Sequence, residues 1–234
     1  MYLGQKVSLI FPSYNEAENI GLAVSSFLKT KIIDELIVVD NNSTDSTAKI
    51  AKKNGAKVVI EPNQGYGFAI RKGLSSATGD YIVLAEPDGT FVAKDLKRLL
   101  KPLANYDAVL GTRTNPNFIQ PGANMGFLLR SGNIVLAKIT QKLFSTSYLS
   151  DCGCTFRAFK KPAIKKILPS LTVGGSHLLP EIVILLVLNN FSFFEVPVHY
   201  KPRVGTSKIT GSPIKIVQVG WKMMTMILSY LFKK

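Results

Sequence analysis

Cysteine is nearly missing: Cys152 and Cys154 are the only two in 234 residues. That excludes a disulfide framework and a four-thiolate zinc site. Histidine is equally scarce, with His177 and His199 alone, so a histidine-built metal centre is excluded too. No run of 18 uncharged apolar residues occurs, and no segment stands out as a membrane span. The first stretch, MYLGQKVSLIFP, has too short an apolar run for a signal peptide, and acidic residues follow at once. A reducing cytoplasmic setting is expected. Acidic residues are the other shortage. Lys and Arg total 29 against 15 Asp and Glu, a net charge of +14.

The acid shortage is local. Residues 1–117 hold 14 basic and 12 acidic side chains, whereas residues 118–234 hold 15 basic and three acidic, Asp151, Glu181 and Glu195. A half so basic points to an anionic partner: nucleic acid, a phosphorylated substrate or a membrane surface. Apolar residues at 46% and charged residues at 19% exclude a disordered chain. The length suits one large domain or two small ones, with a substantial core.

The first half alternates short apolar runs with helical patterns. Strands are expected at Val7–Phe11, Leu36–Val39, Val58–Ile60, Tyr81–Ala85 and Ala108–Gly111. Helices are expected at Glu16–Leu28, Ser43–Lys53 (capped by Ser43 or Thr44), Gly67–Ala77 and Lys94–Leu103. This alternation predicts an α/β fold with a mostly parallel sheet flanked by helices. In the second half, Gly122–Leu143 reads as a long helix with a basic side, Thr155–Phe159 and Ser192–Tyr200 as strands, and Glu181–Leu188 as a buried helix. Ser212–Lys234 has helical period, with Ile214, Val217, Trp221, Met224, Leu228 and Leu231 on one stripe.

Open parallel sheets bind ligands at the C-terminal ends of their strands. Three such loops carry carboxylates: Pro12–Glu16, Asp40–Asp45 and Glu86–Thr90. Helix capping accounts for Ser43 and Asp45. It does not account for Glu86 and Asp88, which precede the next helix by several residues. Two acids one residue apart at a strand end suit a hard divalent cation, Mg²⁺ or Mn²⁺, which takes oxygen ligands and bridges to phosphates.

These segments, FPSYNEAENI, VVDNNSTDST, NQGYGFAIRKGL and ATGDYIVLAEPDGTF, resemble the successive signatures of family 2 GT-A glycosyltransferases. The segments GTR (111–113), DCGCTFRAF (151–159), LLPEIVI (178–184) and VPVHYKPRVGTSK (196–208) are similar to the branch that glycosylates dolichyl phosphate with mannose or glucose. The likeness runs over residues 6–210. It implies a Rossmann-like GT-A domain over 1–211, with a nucleotide-sugar half to residue 117 and an acceptor half after it. Residues 212–234 would follow as an amphipathic helix.

The resemblance also implies roles. Pro12, Tyr14 and Glu16 would hold the nucleotide, with Asp40 and Asn42 near its base or ribose. Glu86 and Asp88 match a D-x-D motif that binds metal and diphosphate, with Glu replacing the first Asp and Pro in the middle; Asp88 is the safer metal ligand. Arg113 would lie near the sugar and leaving group. Asp151 and Arg157 match an element near the acceptor. Arg203 and Lys208 match a basic loop over the phosphates, and Arg130 an arginine that meets the lipid phosphate. The implied donor is GDP-mannose or UDP-glucose, and the implied acceptor a polyprenyl (dolichyl) phosphate.

Acceptor chemistry bears on these roles. A hydroxyl acceptor needs a general base. A phosphate monoester, with a second pKa of about 6, is already a dianion at neutral pH and needs cations instead. The basic second half suits the phosphate, with Asp151 as an organiser of cationic side chains; Asp151 would be the base for a hydroxyl acceptor. A small phosphorylated or hydroxylated acceptor is the alternative. Nucleic acid is disfavoured, because no RNA- or DNA-binding signature occurs and carboxylates cluster at the strand ends. The C-terminal helix could pack on its own domain, meet a second copy, begin a membrane region, or lie on a membrane at its cytoplasmic face. The membrane-surface reading is favoured.

Overall fold

A computed structural model describes residues 1–146, 148–205 and 213–232. Seven strands form one sheet: β1 (Val7–Ser13), β2 (Glu35–Asp40), β3 (Lys57–Ile60), β4 (Tyr81–Leu84), β5 (Ala108–Thr112), β6 (Arg157–Lys160) and β7 (Phe193–Pro197). Their order is β3-β2-β1-β4-β6-β5-β7. All run parallel except β6, which is antiparallel between β4 and β5. The mostly parallel α/β sheet expected from the alternation is present.

Successive side chains of a strand point to opposite faces. Ile10, Ile37, Val39, Ile82 and Leu84 enter one core, while Val7, Leu9, Phe11, Val38 and Val83 enter the other. Both faces are therefore apolar, and both are covered. Helices α1 (Ile20–Leu28), α2 (Thr47–Lys53) and α4 (Leu96–Leu100) cover one face. The other is covered by α3 (Tyr66–Ser76), α5 (Phe127–Phe144), α6 (Lys161–Ile167), α7 (Leu178–Leu188) and α8 (Pro213–Ser229). In α1, Ile20, Val24 and Phe27 are buried, and the Phe27 ring meets Phe11 edge-on at 5.3 Å.

Several expected boundaries move for local reasons. Helix α1 starts at Ile20, not Glu16, because residues 13–17 bond across to the loop after β2. Helix α2 starts at Thr47: Ser43 and Thr44 bond Asn15 instead of capping, and Asp45 accepts the Thr47 N–H. The expected Lys94–Leu103 helix is a five-residue α4 between two 3₁₀ turns, where Pro102 removes a backbone donor. Helix α6 was not expected from the sequence pattern.

Helix α8 has two apolar faces. Met223, Met226 and Ile227 are buried, as is Tyr230 just past the helix end, and the helix packs on α5 and α7. Four residues of the stripe read from the sequence point outward: Ile214, Val217, Trp221 and Leu228 are 70%, 61%, 69% and 39% exposed. Packing on its own domain is thus realised, by the face that the stripe left out. No described helix is long and apolar enough to cross a membrane.

Candidate active site

The C-terminal ends of the parallel strands lie along one sheet edge, and there the loops surround a cavity of about 740 Å³. Because β6 is antiparallel, the residues before it reach this edge. That is how Asp151–Thr155, far along the chain, come to lie beside Glu86 and Arg113.

Asp88 is buried. Its Oδ1 accepts from the Thr90 N–H at 3.0 Å and the Thr90 hydroxyl at 2.5 Å. Its Oδ2 lies 2.8 Å from Arg203 Nη1, and Arg203 Nη2 reaches Glu16 Oε1 at 2.5 Å. Burial raises the Glu16 pKa, against the pull of Arg203. Glu86 accepts from the Tyr66 hydroxyl at 2.8 Å and the Thr155 hydroxyl at 3.0 Å. Burial, then the neighbouring Asp88 charge, pushes the Glu86 carboxyl up to about 7.

Arg113 and Asp151 form a bidentate pair, Nε–Oδ2 at 2.9 Å and Nη2–Oδ1 at 3.0 Å. The Arg113 and Gly153 backbone N–H groups also donate to this carboxylate. Burial alone would raise the Asp151 pKa; Arg113 and these donors outweigh it, and the group stays below the usual carboxylate range. Arg113 lines the cavity, with its guanidinium 5.3 Å from the Tyr200 ring centre. Asp151 is fully buried behind it. So Asp151 organises an arginine and is not placed to act as a base.

Of the nucleotide residues expected, Pro12, Tyr14, Glu16, Glu86 and Asp88 line the cavity. Asp40 ends β2 beneath it and accepts from the Ser43 N–H at 3.3 Å. Asn42 is exposed, with a left-handed φ of 64°, and stands off the cavity wall. Its neighbour Asn41 lines it instead. The Asn41 amide donates to the Glu61 and Asn63 carbonyls, and its Oδ1 accepts the Gly65 N–H, tying the β2 loop to the start of α3.

The acceptor arginines divide. Arg157, expected at the acceptor phosphate, is fully buried in β6. It donates to the Cys154, Leu179 and Cys152 carbonyls at 2.6, 2.6 and 2.7 Å. These bonds hold the loop before β6 against α7, so Arg157 is a structural residue. Arg130 lies on α5, off the turn faces that line the cavity, which belong to Leu128, Leu129, Gly132, Asn133 and Leu136. Arg203 is on the wall, bound to carboxylates. Lys208 lies outside the described residues. Cys152 and Cys154 are packed thiols, pushed up to about 12 by burial.

The cavity has a second, apolar arm. It is walled by Leu128, Leu129 and Leu136 of α5 and by Ile216, Val219 and Met223 of α8. Gly132 and Gly220 line it from the two helices, and a Cβ on either would meet nothing within 4 Å. Among the described residues two buried polar atoms lack a hydrogen-bond partner, Asn133 Nδ2 and Arg203 Nε, and both residues line this cavity. Buried donors are normally satisfied, so both suit incoming anionic oxygens. Tyr66, Thr155 and Asn41 carry no charge and lie within the resembling segments without being singled out there, and Asn133 lies outside all of them.

No group of three or more His, Cys, Asp or Glu side chains among the described residues converges on one cation position. Asp88 nevertheless offers a carboxylate oxygen to the cavity, and a cationic group already sits on it. A hard divalent ion that takes its other oxygens from a diphosphate and water fits that donor set.

A profile of "Glycosyl transferase family 2" matches residues 8–168. Glycosyltransferase AglJ of Haloferax volcanii is 29% identical over 211 residues, covering 89% of this chain and 67% of AglJ. The low-salt glycan biosynthesis hexosyltransferase Agl6 of the same organism is 28% identical over 237 residues; the match covers 97% of this chain but 55% of Agl6. Among solved structures, glucosyl-3-phosphoglycerate synthase from Mycobacterium tuberculosis, in complex with Mn²⁺, UDP-glucose and phosphoglyceric acid, has a TM-score of 0.75 at 19% identity. That likeness covers 97% of this chain and 79% of the other, and speaks for the fold. The family match runs from β1 through α6 and takes in the loops bearing Glu16, Glu86, Asp88 and Arg113: the chain belongs to glycosyl transferase family 2 and is a glycosyltransferase.

Proposed function

We propose that the protein transfers a hexose, with inversion, from a nucleotide sugar to a polyprenyl phosphate at the cytoplasmic face of a membrane, where it is held peripherally. The observation that carries this reading is the two-armed cavity. One arm is lined by carboxylates and arginine; the other is an apolar slot between α5 and α8. A lipid phosphate has both characters. A small polar acceptor would leave the slot without a use. The name of Agl6, a glycan biosynthesis hexosyltransferase, supports the hexose. The Mn²⁺ and UDP-glucose bound by the structural neighbour support a divalent metal and make UDP-glucose the first donor to test, ahead of GDP-mannose.

In this reading the acceptor phosphate oxygen attacks the anomeric carbon as the bond to the diphosphate oxygen breaks. Asp88, with Glu86 beside it, would hold Mg²⁺ or Mn²⁺, which offsets the charge that builds on the leaving diphosphate. Arg113, aimed by Asp151, adds a fixed cation on the cavity wall. The Asn133 amide lines the same cavity with its donor unspent. No base is required, in keeping with an Asp151 locked to Arg113.

The membrane contact rests on exposed apolar groups at the mouth of the slot. Phe127 and Leu128 on α5, the helix on which α8 packs, are 81% and 51% exposed. Lys215 and Lys222 flank the outward stripe of α8 and suit anionic headgroups.

The test is transfer from radiolabelled UDP-glucose or GDP-mannose in the presence of Mn²⁺ and dolichyl or undecaprenyl phosphate, followed by organic extraction. Label should enter the organic phase. Label that stays aqueous, and appears instead on added 3-phosphoglycerate, would replace the lipid with a small acceptor.

A further inference from the structure

We propose that Arg203 holds the place of the divalent metal in the empty enzyme and gives it up only when the donor's diphosphate arrives, so that metal and nucleotide bind together. The inference rests on the metal-assisted reading above and adds the order in which the site fills.

The geometry makes the two cations compete for one oxygen. Thr90 occupies Asp88 Oδ1 from both its backbone N–H and its hydroxyl. Oδ2 is the oxygen turned to the cavity, and Arg203 Nη1 sits on it at 2.8 Å. A Mg²⁺ ion would need that oxygen at about 2.0–2.1 Å, which sets its charge directly against the guanidinium on the same oxygen. The arginine is also held from its backbone. The Lys201 N–H donates to the Thr90 carbonyl at 2.9 Å and the Val204 N–H to the Asp88 carbonyl at 3.0 Å. Asn19 Nδ2 donates to the Val204 carbonyl at 3.0 Å. The chain on both sides of Arg203 is thereby stitched to the loops bearing its two carboxylates.

Charge balance gives the order. Glu16, Asp88 and Arg203 together carry one negative charge in the paired state. A divalent ion entering alone would turn the net charge of these three groups positive and set two cations on one carboxylate, with Arg203 left on Glu16 alone. A nucleotide sugar brings two negative charges on its diphosphate and restores the starting balance. Its oxygens also match the planar fork of an arginine. Arg203 Nε, already buried without a partner, supplies a third donor toward such oxygens. Until then the guanidinium holds Glu16 of the β1 loop and Asp88 of the β4 loop together, so the site is kept assembled while empty.

The test is Mn²⁺ binding to the full chain, followed by the loss of the free-ion EPR signal, with and without UDP and, separately, GDP. Wild type should bind Mn²⁺ weakly alone and about tenfold or more tightly with a nucleotide that fits. R203Q should bind Mn²⁺ alone about tenfold more tightly than wild type and gain less from nucleotide. R203K keeps a cation and should remain weak alone. D88N should lose Mn²⁺ binding in every condition. R203Q that binds Mn²⁺ no better than wild type overturns the exchange, even if wild type binds metal with nucleotide. Mn²⁺ that binds none of these proteins in any condition removes the metal reading itself, and the exchange with it.

Discussion

The two arms of the cavity are built by different rules. In the polar arm each charged group is fixed by several directed bonds. Asp88 is held by Thr90 and Arg203, Glu86 by Tyr66 and Thr155, and Arg113 by Asp151. These groups come from loops at the ends of β4 and β5, the segment before β6, the start of α3 and the chain after β7, so a rigid sheet sets their spacing. The apolar arm is two helices with leucine, isoleucine, valine and methionine between them and glycine where space is left. Among the described residues no side-chain hydrogen bond joins the two helices. The difference teaches what each arm can recognise. The polar arm reads the position of charge, where displacement of one atom matters. The apolar arm reads width and dryness, where only bulk matters.

The largest effect is expected where the polar arm is most constrained. Asp151→Asn leaves the Arg113 charge buried without its partner. It should cost about 3–5 kcal/mol of stability in denaturant titrations, and transfer should fall with it. Arg157→Met should also lower stability, by removing three donors from buried carbonyls, but without raising the KM for the acceptor. A selective rise in that KM would return Arg157 to the acceptor site. Asp88→Asn should lower kcat/KM about 10²–10³-fold.

Glu86 gives a pH signature. Its folded pKa of about 7 lies above the ordinary 4.5. The protonated carboxyl therefore contributes stability that is full below about pH 4.5 and lost as pH rises through about 7. Thermal melts of wild type should show that decline, and Glu86→Gln should flatten it. An unchanged slope would mean that Glu86 is solvated and charged throughout.

The apolar arm and its helix should respond by bulk and burial alone. Ile227→Ala, on the docked face of α8, should cost about 2–4 kcal/mol. Val217→Ser with Trp221→Ser, on the outward face, should change stability by less than about 0.5 kcal/mol yet weaken sedimentation with anionic liposomes. Unchanged sedimentation would move the membrane contact to Phe127 and Leu128.

What the sequence revealed followed the same division. Parallel strands are short apolar runs, buried in β1, β2, β4 and β5 and part-exposed at the sheet edge in β3, so all five could be placed to within a few residues. Glu86 and Asp88 stood out because two acids at a strand end have few structural uses. The antiparallel insertion of β6 could not be read, because pairing partners and direction leave no local mark. That insertion decides why Asp151 lies at the site and Arg157 beneath it. A charge in a motif shows that a residue is cationic, but not whether three carbonyls or a ligand will satisfy it. Asn41 and Asn42 differ by one position, and the turn after β2 alone selects the inward one. On α8 the period was visible, but two apolar faces gave no sign of which would dock.

The lipid's path through the apolar slot is open to direct test. Gly132→Trp and Gly220→Trp place bulk in that slot where a Cβ meets no neighbour. The direct measurement is kcat/KM for polyprenyl phosphate in these two variants, beside donor affinity in the same proteins. A drop of at least tenfold is expected for the lipid, with donor affinity unchanged. Transfer to the lipid at the wild-type rate, with the slot filled, would contradict that path.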